Sequence, residues 1–255
     1  MLTHDKYRLQ VVFDHVYLLQ FEEQYDLNMH FLRLQEFYES TNPLFRGRHF
    51  KILDYMRWYS LERDGAKGYF SYHDDWAGFN VPSHVFDEVY RKSTPPDIND
   101  YDVTMTEIYE TLLRREGDDK FYVIGSVDLG QVFDHEVAHA LYYTSEEYKS
   151  EQLRNITMLP DAAVTGLRET LIKEGYIPQV IEDEIQAYLS TGIGGSIQTR
   201  LFDLGYETER KLKRFRKKFI DTYKKHNLAA NFKTTSLNDT KLRRRRKKNE
   251  NQTDQ

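Results

Sequence analysis

The chain contains no cysteine. That excludes disulfides, a thiol nucleophile and thiolate metal ligands, so any bound metal has to be held by imidazoles and carboxylates. Long apolar runs are missing too. No segment approaches the roughly 18 residues of a membrane span, and the opening "MLTHDKYRLQVVFDHVYLLQF" carries charges where a signal peptide would be apolar. A soluble intracellular protein with no membrane partner is the expectation.

What is present allows one sizeable domain. The 255 residues are 39% hydrophobic, with 19 tyrosines and 15 phenylalanines to fill a core. The net charge of −5 hides a division. Residues 210–255 hold 17 basic and 4 acidic groups, whereas residues 1–209 hold 19 basic and 37 acidic ones. An acidic body therefore precedes a basic C-terminal part. Residues 1–228 read as one domain, and 229–255 as a disordered basic tail.

The apolar spacing of Val12, Val16 and Leu19 predicts a mainly helical first 60 residues, broken at "STNPLFRG" (40–47). "GYFSYHDDWAGFNVPS" predicts one or two short strands and a loop. A helix follows "STPPDINDYD" (93–102). "KFYVIGS" (120–126) is the best strand in the chain. Further helices are expected from about 129–131 to Lys149, from a cap at Asp161 to about Gly175, from Pro178 to Thr191, and over 206–227. Leu212, Phe215, Phe219 and Tyr223 make one apolar stripe on the last of these. The whole reads as α+β, mainly helical, with a small sheet beside the central helix.

That central helix carries "VFDHEVAHALYYTS", in which His135, Glu136 and His139 form H-E-x-x-H. Composition alone produces this pattern in about 2% of such chains, so coincidence is a weak explanation. Residues four apart lie on one helical face, and both imidazoles can address one ion. In zinc sites of this kind the metal lowers the pKa of water to about 7, and the adjacent glutamate takes the proton. Val137, Ala138, Ala140 and Leu141 are uncharged, as burial requires.

A third ligand is needed. Ser145 stands where a compact motif would supply His or Asp, and His226 lies in a basic helix. "PQVIEDEIQAYLSTG" offers Glu182, Asp183 and Glu184. Only Glu184 falls inside the apolar face formed by Val180, Ile181, Ala187 and Tyr188, where a carboxylate is costly without a compensating cation. Glu182, Asp183 and Asp161 remain the alternatives. Tyr142, Tyr143 and Tyr188 are candidate oxyanion donors.

"HEVAH" followed some 45 residues later by "DEIQAY" resembles the gluzincin zinc metallopeptidases. The E-x-x-A piece, Glu184 to Ala187, is similar to that of the small ImmA/IrrE-type members. The resemblance covers residues 120–190. It implies a zincin-like fold, Zn2+ held by His135, His139 and Glu184, Glu136 as general base, and a protein or peptide substrate. A zincin also needs an edge strand for its substrate, and "KFYVIGS" is the expected one.

Two other stretches weigh less. "HDDW" (73–76) reads as a polar loop, and "GIGGS" (192–196) lacks the Lys-Ser/Thr of a phosphate loop. "KLRRRRKK" (241–248) is stronger: seven basic groups in eight positions suit nucleic-acid binding or nuclear import. The rival to a peptidase is therefore a nucleic-acid-associated or interaction protein acting through its tail, with a non-catalytic metal site.

Overall fold

A computed structural model describes residues 6–228 and residue 232. The chain opens with a hairpin. Strands β1 (Tyr7–Phe13) and β2 (Val16–Phe21) pair antiparallel across Asp14 and His15, with His15 in the left-handed region at φ 62°. A mainly helical N-terminus is thus corrected for residues 7–21. The reason is burial: every residue of β2 is buried, so its apolar residues run on without the alternation that marks a one-sided strand. The turn also lacks the Asn-Gly or Asp-Gly signal.

Helix α1 (Gln24–Glu39) and α2 (Ile52–Leu61) flank the expected break. A one-turn helix α3 (Tyr72–Asp75) then leads into β3 (Gly78–Pro82). Asp75 ends α3 by accepting from Tyr59, Ser71, Arg63 and Lys67, so the expected loop at "HDDW" is helical over 73–75, with Trp76 extended beyond it. Helix α4 (Ser83–Phe86) continues as a π turn to Arg91. Helix α5 (Asp100–Glu116) starts at a capping box of Asn99 and Asp102. Strand β4 (Tyr122–Ser126) precedes α6 (Gln131–Thr144), α7 (Glu146–Thr157) and α8 (Asp161–Lys173). A 3-10 turn at Pro178–Val180 opens α9 (Ile181–Thr191), and α10 (Gly195–Asp203) and α11 (Glu209–His226) follow.

Two helix boundaries differ from expectation. Helix α6 stops at Thr144 instead of running to Lys149, because extended Ser145 caps α7 by accepting from the Tyr148 N–H. Pro160, not Asp161, is the cap of α8.

The sheet order is β1-β2-β4-β3, with β2 and β4 parallel and the outer pairs antiparallel. β4 is therefore interior, and the expectation that "KFYVIGS" forms the edge is overturned. Its two flanks are filled by β2 and β3, and β3 is the edge strand on the α6 side. Alternation sorts the faces. Tyr17, Leu19, Phe21, Phe79, Val81 and Val123 pack with α1, α2 and α5. Val16, Leu18, Tyr122 and Ile124 pack with α6, Tyr148, Ala187 and Tyr223. A third cluster joins α7–α11, and Phe219 of the predicted stripe lies within it.

Gly125 lets α1 approach: a Cβ there would sit 2.5 Å from Phe31 Cε2. Among the described residues no helix is long and apolar enough to cross a membrane. The "KLRRRRKK" segment lies outside the described residues.

Candidate metal centre

Helices α6 and α9 lie side by side, and small residues make this possible. Ala138, Ala140 and Ala187 are all fully buried. The close approach brings His135, His139 and Glu184 together, with one ligand atom from each within 4.8 Å of the others. The two Nε2 atoms are 3.2 Å apart. His135 Nε2 is 3.7 Å from Glu184 Oε2, and His139 Nε2 is 3.6 Å from Oε1. A tetrahedral ion with bonds of about 2.0–2.2 Å holds its ligands about 3.3–3.6 Å apart. The triangle fits a zinc-sized ion.

Hydrogen bonding supports the fit. His139 Nδ1 lies 2.9 Å from Asp183 Oδ1, and His135 Nδ1 lies 3.4 Å from Thr191 Oγ1. Thr191 spends its own proton on the Ala187 carbonyl, so it accepts from His135. Both Nδ1 atoms thus act as donors, and both Nε2 atoms face the centre, the arrangement metal-binding histidines require. Glu184 Oε2 is buried and has no hydrogen-bond partner among the described residues. Two inward Nε2 atoms and a carboxylate oxygen without a hydrogen-bond partner at this spacing suit a cation.

The carboxylate behind His139 is itself held. Gln186 Nε2 donates to Asp183 Oδ1 at 2.9 Å, and Tyr148 Oη donates to Gln186 Oε1 at 2.6 Å. Within "DEIQAY", Asp183 therefore orients His139, Glu184 completes the group that could hold an ion, Gln186 anchors Asp183 and Ala187 admits the neighbouring helix. Burial opposes ionisation of His139, but Asp183 and Glu184 outweigh it and push its pKa well above 6.5. Burial likewise disfavours the Glu184 carboxylate, yet the two imidazoles hold its pKa below 4.5.

Glu136 is buried at 7% exposure and leaves the ligand triangle. Asn80 Nδ2, on the edge strand, donates to Glu136 Oε2 at 2.5 Å, and Asn80 Oδ1 accepts from the core phenol of Tyr122 at 2.5 Å. Gly78 makes room beside it, because a Cβ there would fall 2.5 Å from Val132 Cγ1 and 3.2 Å from Glu136 Oε1. Neither residue is visible as functional in the sequence. Both reach Glu136 only through the β3–β4 register, which pairs Asn80 with Ile124 and Gly78 with Ser126.

Comparison with protein-family models, with curated proteins and with solved structures gave no match.

The other candidates separate clearly. Glu182 pairs with Arg168, and Asp161 is exposed at the start of α8. Of the three tyrosines, Tyr188 stands against the site, its ring 4.8 Å from that of His135. Its hydroxyl meets that of Tyr176 at 3.2 Å, and burial raises its pKa above 10. Tyr142 lies under Lys149, and Tyr143 packs on Tyr122 and His84. His226 joins Glu147 and Glu151 in a second group, but Lys225 already bridges those two carboxylates.

Next to the centre lies a cavity of 220 Å³ walled by Glu39, Trp76, Glu174, Tyr176 and Val180. Burial and the nearby Glu184 push the Glu39 carboxyl up to about 8.

Proposed function

We propose that the chain is a zinc-dependent hydrolase of zincin-like fold, a metallopeptidase of gluzincin type that cleaves peptide bonds. The observation carrying this reading is the inward triangle of His135 Nε2, His139 Nε2 and Glu184, with Glu136 beside it and outside it. His135, His139 and Glu184 would hold the metal. Bound there, zinc supplies Lewis acidity that polarises a carbonyl and acidifies water.

The chain's own groups do the rest. Asn80 fixes Glu136 Oε2, which leaves Oε1 to accept the proton of the attacking water and later return it to the leaving amine. An extended peptide adds to the free side of β3, whose main chain runs past the base between Gly78 and Asn80. Tyr188 keeps its proton at neutral pH and is the hydroxyl donor for the developing oxyanion. The cavity beside Tyr176 takes a substrate side chain, with Glu174 the charged carboxylate in its wall and Glu39 a protonated one at neutral pH.

Glu136→Gln tests the mechanism. The variant keeps its metal, measured by mass spectrometry of the purified protein. Its cleavage of an unfolded protein substrate falls by a factor on the order of 10²–10⁴. Full activity in that variant would sink the reading.

A further inference from the structure

We propose that the groove between α11 and the α7–α8 turn binds single-stranded nucleic acid through its phosphates. The site is separate from the metal centre and does not depend on it. The groove measures 690 Å³, and Lys211, Arg214 and Lys218 line it together with Tyr206, Phe215 and Met158. No carboxylate is among its lining residues.

Helical spacing puts the three cations on one face of α11, over about 10 Å at 1.5 Å per residue. Lys211 is partly satisfied by the Gly205 carbonyl at 2.9 Å and by Glu207 at 2.8 Å. The other two are not. Lys218 Nζ rests 2.9 Å from Met158 Sδ, and Arg214 makes no ion pair among the described residues. A rigid helix holding unneutralised cations over a partly apolar floor is poised for a polyanion.

Charge balance restricts where that polyanion can go. Residues 1–209 carry 37 acidic and 19 basic groups and repel it. Within α11, Glu209 and Asp221 stand against nine Lys and Arg residues.

The aromatic floor decides between a nucleic acid and an acidic peptide. Tyr206 and Phe215 lie with ring centroids 4.4 Å apart, both half-buried at the groove wall. Unpaired bases stack on such rings, whereas a duplex keeps its bases inside and a glutamate-rich peptide has no planar group to offer.

The test is fluorescence anisotropy of a labelled twelve-residue oligo(dT) with the full chain, across 50–200 mM salt. In R214E/K218E, affinity falls by on the order of tenfold or more, and the slope of log K against log salt drops by about 1.4, two phosphate contacts at about 0.7 each. K213E/K217E makes the same charge change on the outward face of the same helix and costs several-fold less. Y206A weakens binding by at least about fivefold and leaves the salt slope unchanged. Circular dichroism melts confirm that each variant is folded.

Three outcomes overturn the proposal. Equal losses in the two double variants would reduce the effect to net charge. Wild-type affinity in R214E/K218E would assign all binding to other basic residues. Competition by poly-glutamate as effective as by unlabelled oligo(dT) would identify an acidic protein as the occupant.

Discussion

Replacing Glu184 by Gln should cost stability without metal and considerably more with it. In wild-type protein stripped with a chelator, a carboxylate 5% exposed has only two imidazoles for company, and its Oε2 has no partner. The two imidazoles hold its pKa below 4.5, so the charged form is favoured on balance, and metal-free Glu184→Gln, which leaves the imidazoles without that carboxylate, should melt lower than metal-free wild type. Zinc widens the gap. A ligand that binds only the folded state at 100 to 1,000 times its Kd stabilises by about 2.7–4.1 kcal/mol. For a chain of this size each kcal/mol moves Tm by about 2–4 °C, so wild type should gain about 5–16 °C. The variant has lost the anionic ligand and should gain a small fraction of that. Scanning calorimetry with and without a slight excess of zinc reads both effects, and metal analysis gives about one ion per chain for wild type. Wild-type melting indifferent to zinc, or an equal gain in Glu184→Gln, would refute the site.

Asn80→Ala should keep the metal and lower kcat by about ten- to a hundredfold with KM little changed, since it frees the carboxylate of Glu136 to rotate and leaves the buried Tyr122 phenol without its acceptor. Steady-state kinetics beside metal analysis checks this. Gly125→Ala should destabilise by about 1–3 kcal/mol in urea unfolding, because the new methyl meets Phe31 and Leu27, whose side chains are fully buried. Glu36 is 5% exposed, and burial raises its pKa from 4.5 to about 7 despite hydrogen bonds from Ser40 and Tyr55. Its folded pKa exceeds its unfolded one, so its favourable contribution is complete below about 4.5 and is lost as pH rises through about 7. Glu36→Gln should accordingly stabilise by about 2–3 kcal/mol at pH 8 and by little at pH 4, read by urea unfolding at both pH values.

Much of the candidate metal centre was legible before any coordinates. A spacing of four on a helix puts His135 and His139 on one face whatever the rest of the chain does. Glu184 was singled out by phase, because a carboxylate inside an apolar stripe needs a cation. The same reasoning left Asp183 as a competing ligand. The structure gives it another role, since one residue earlier on α9 it meets the outer nitrogen of His139 instead of the inner one.

The N-terminal hairpin was not legible, for two physical reasons. β2 is buried on both faces and so shows no period of two, and Asp14-His15 turns without a glycine. The wrong edge strand has a related cause. Propensity marks β4 as a strand but says nothing about its neighbours, and β3, with a glycine, an asparagine and a proline in five residues, hardly looks like one.

The sequence by itself determined the chemistry of the donors, two imidazoles and a carboxylate with no thiol in competition, because residue type and helical phase are local properties. Tertiary structure alone decided that Asn80 and Tyr122 hold Glu136, that β3 is an edge strand and that Tyr188 stands beside His135. Those facts depend on which strands pair, in what register, and on how closely α9 lies against α6 across Ala138 and Ala187. No local pattern encodes contacts between residues so far apart in the chain.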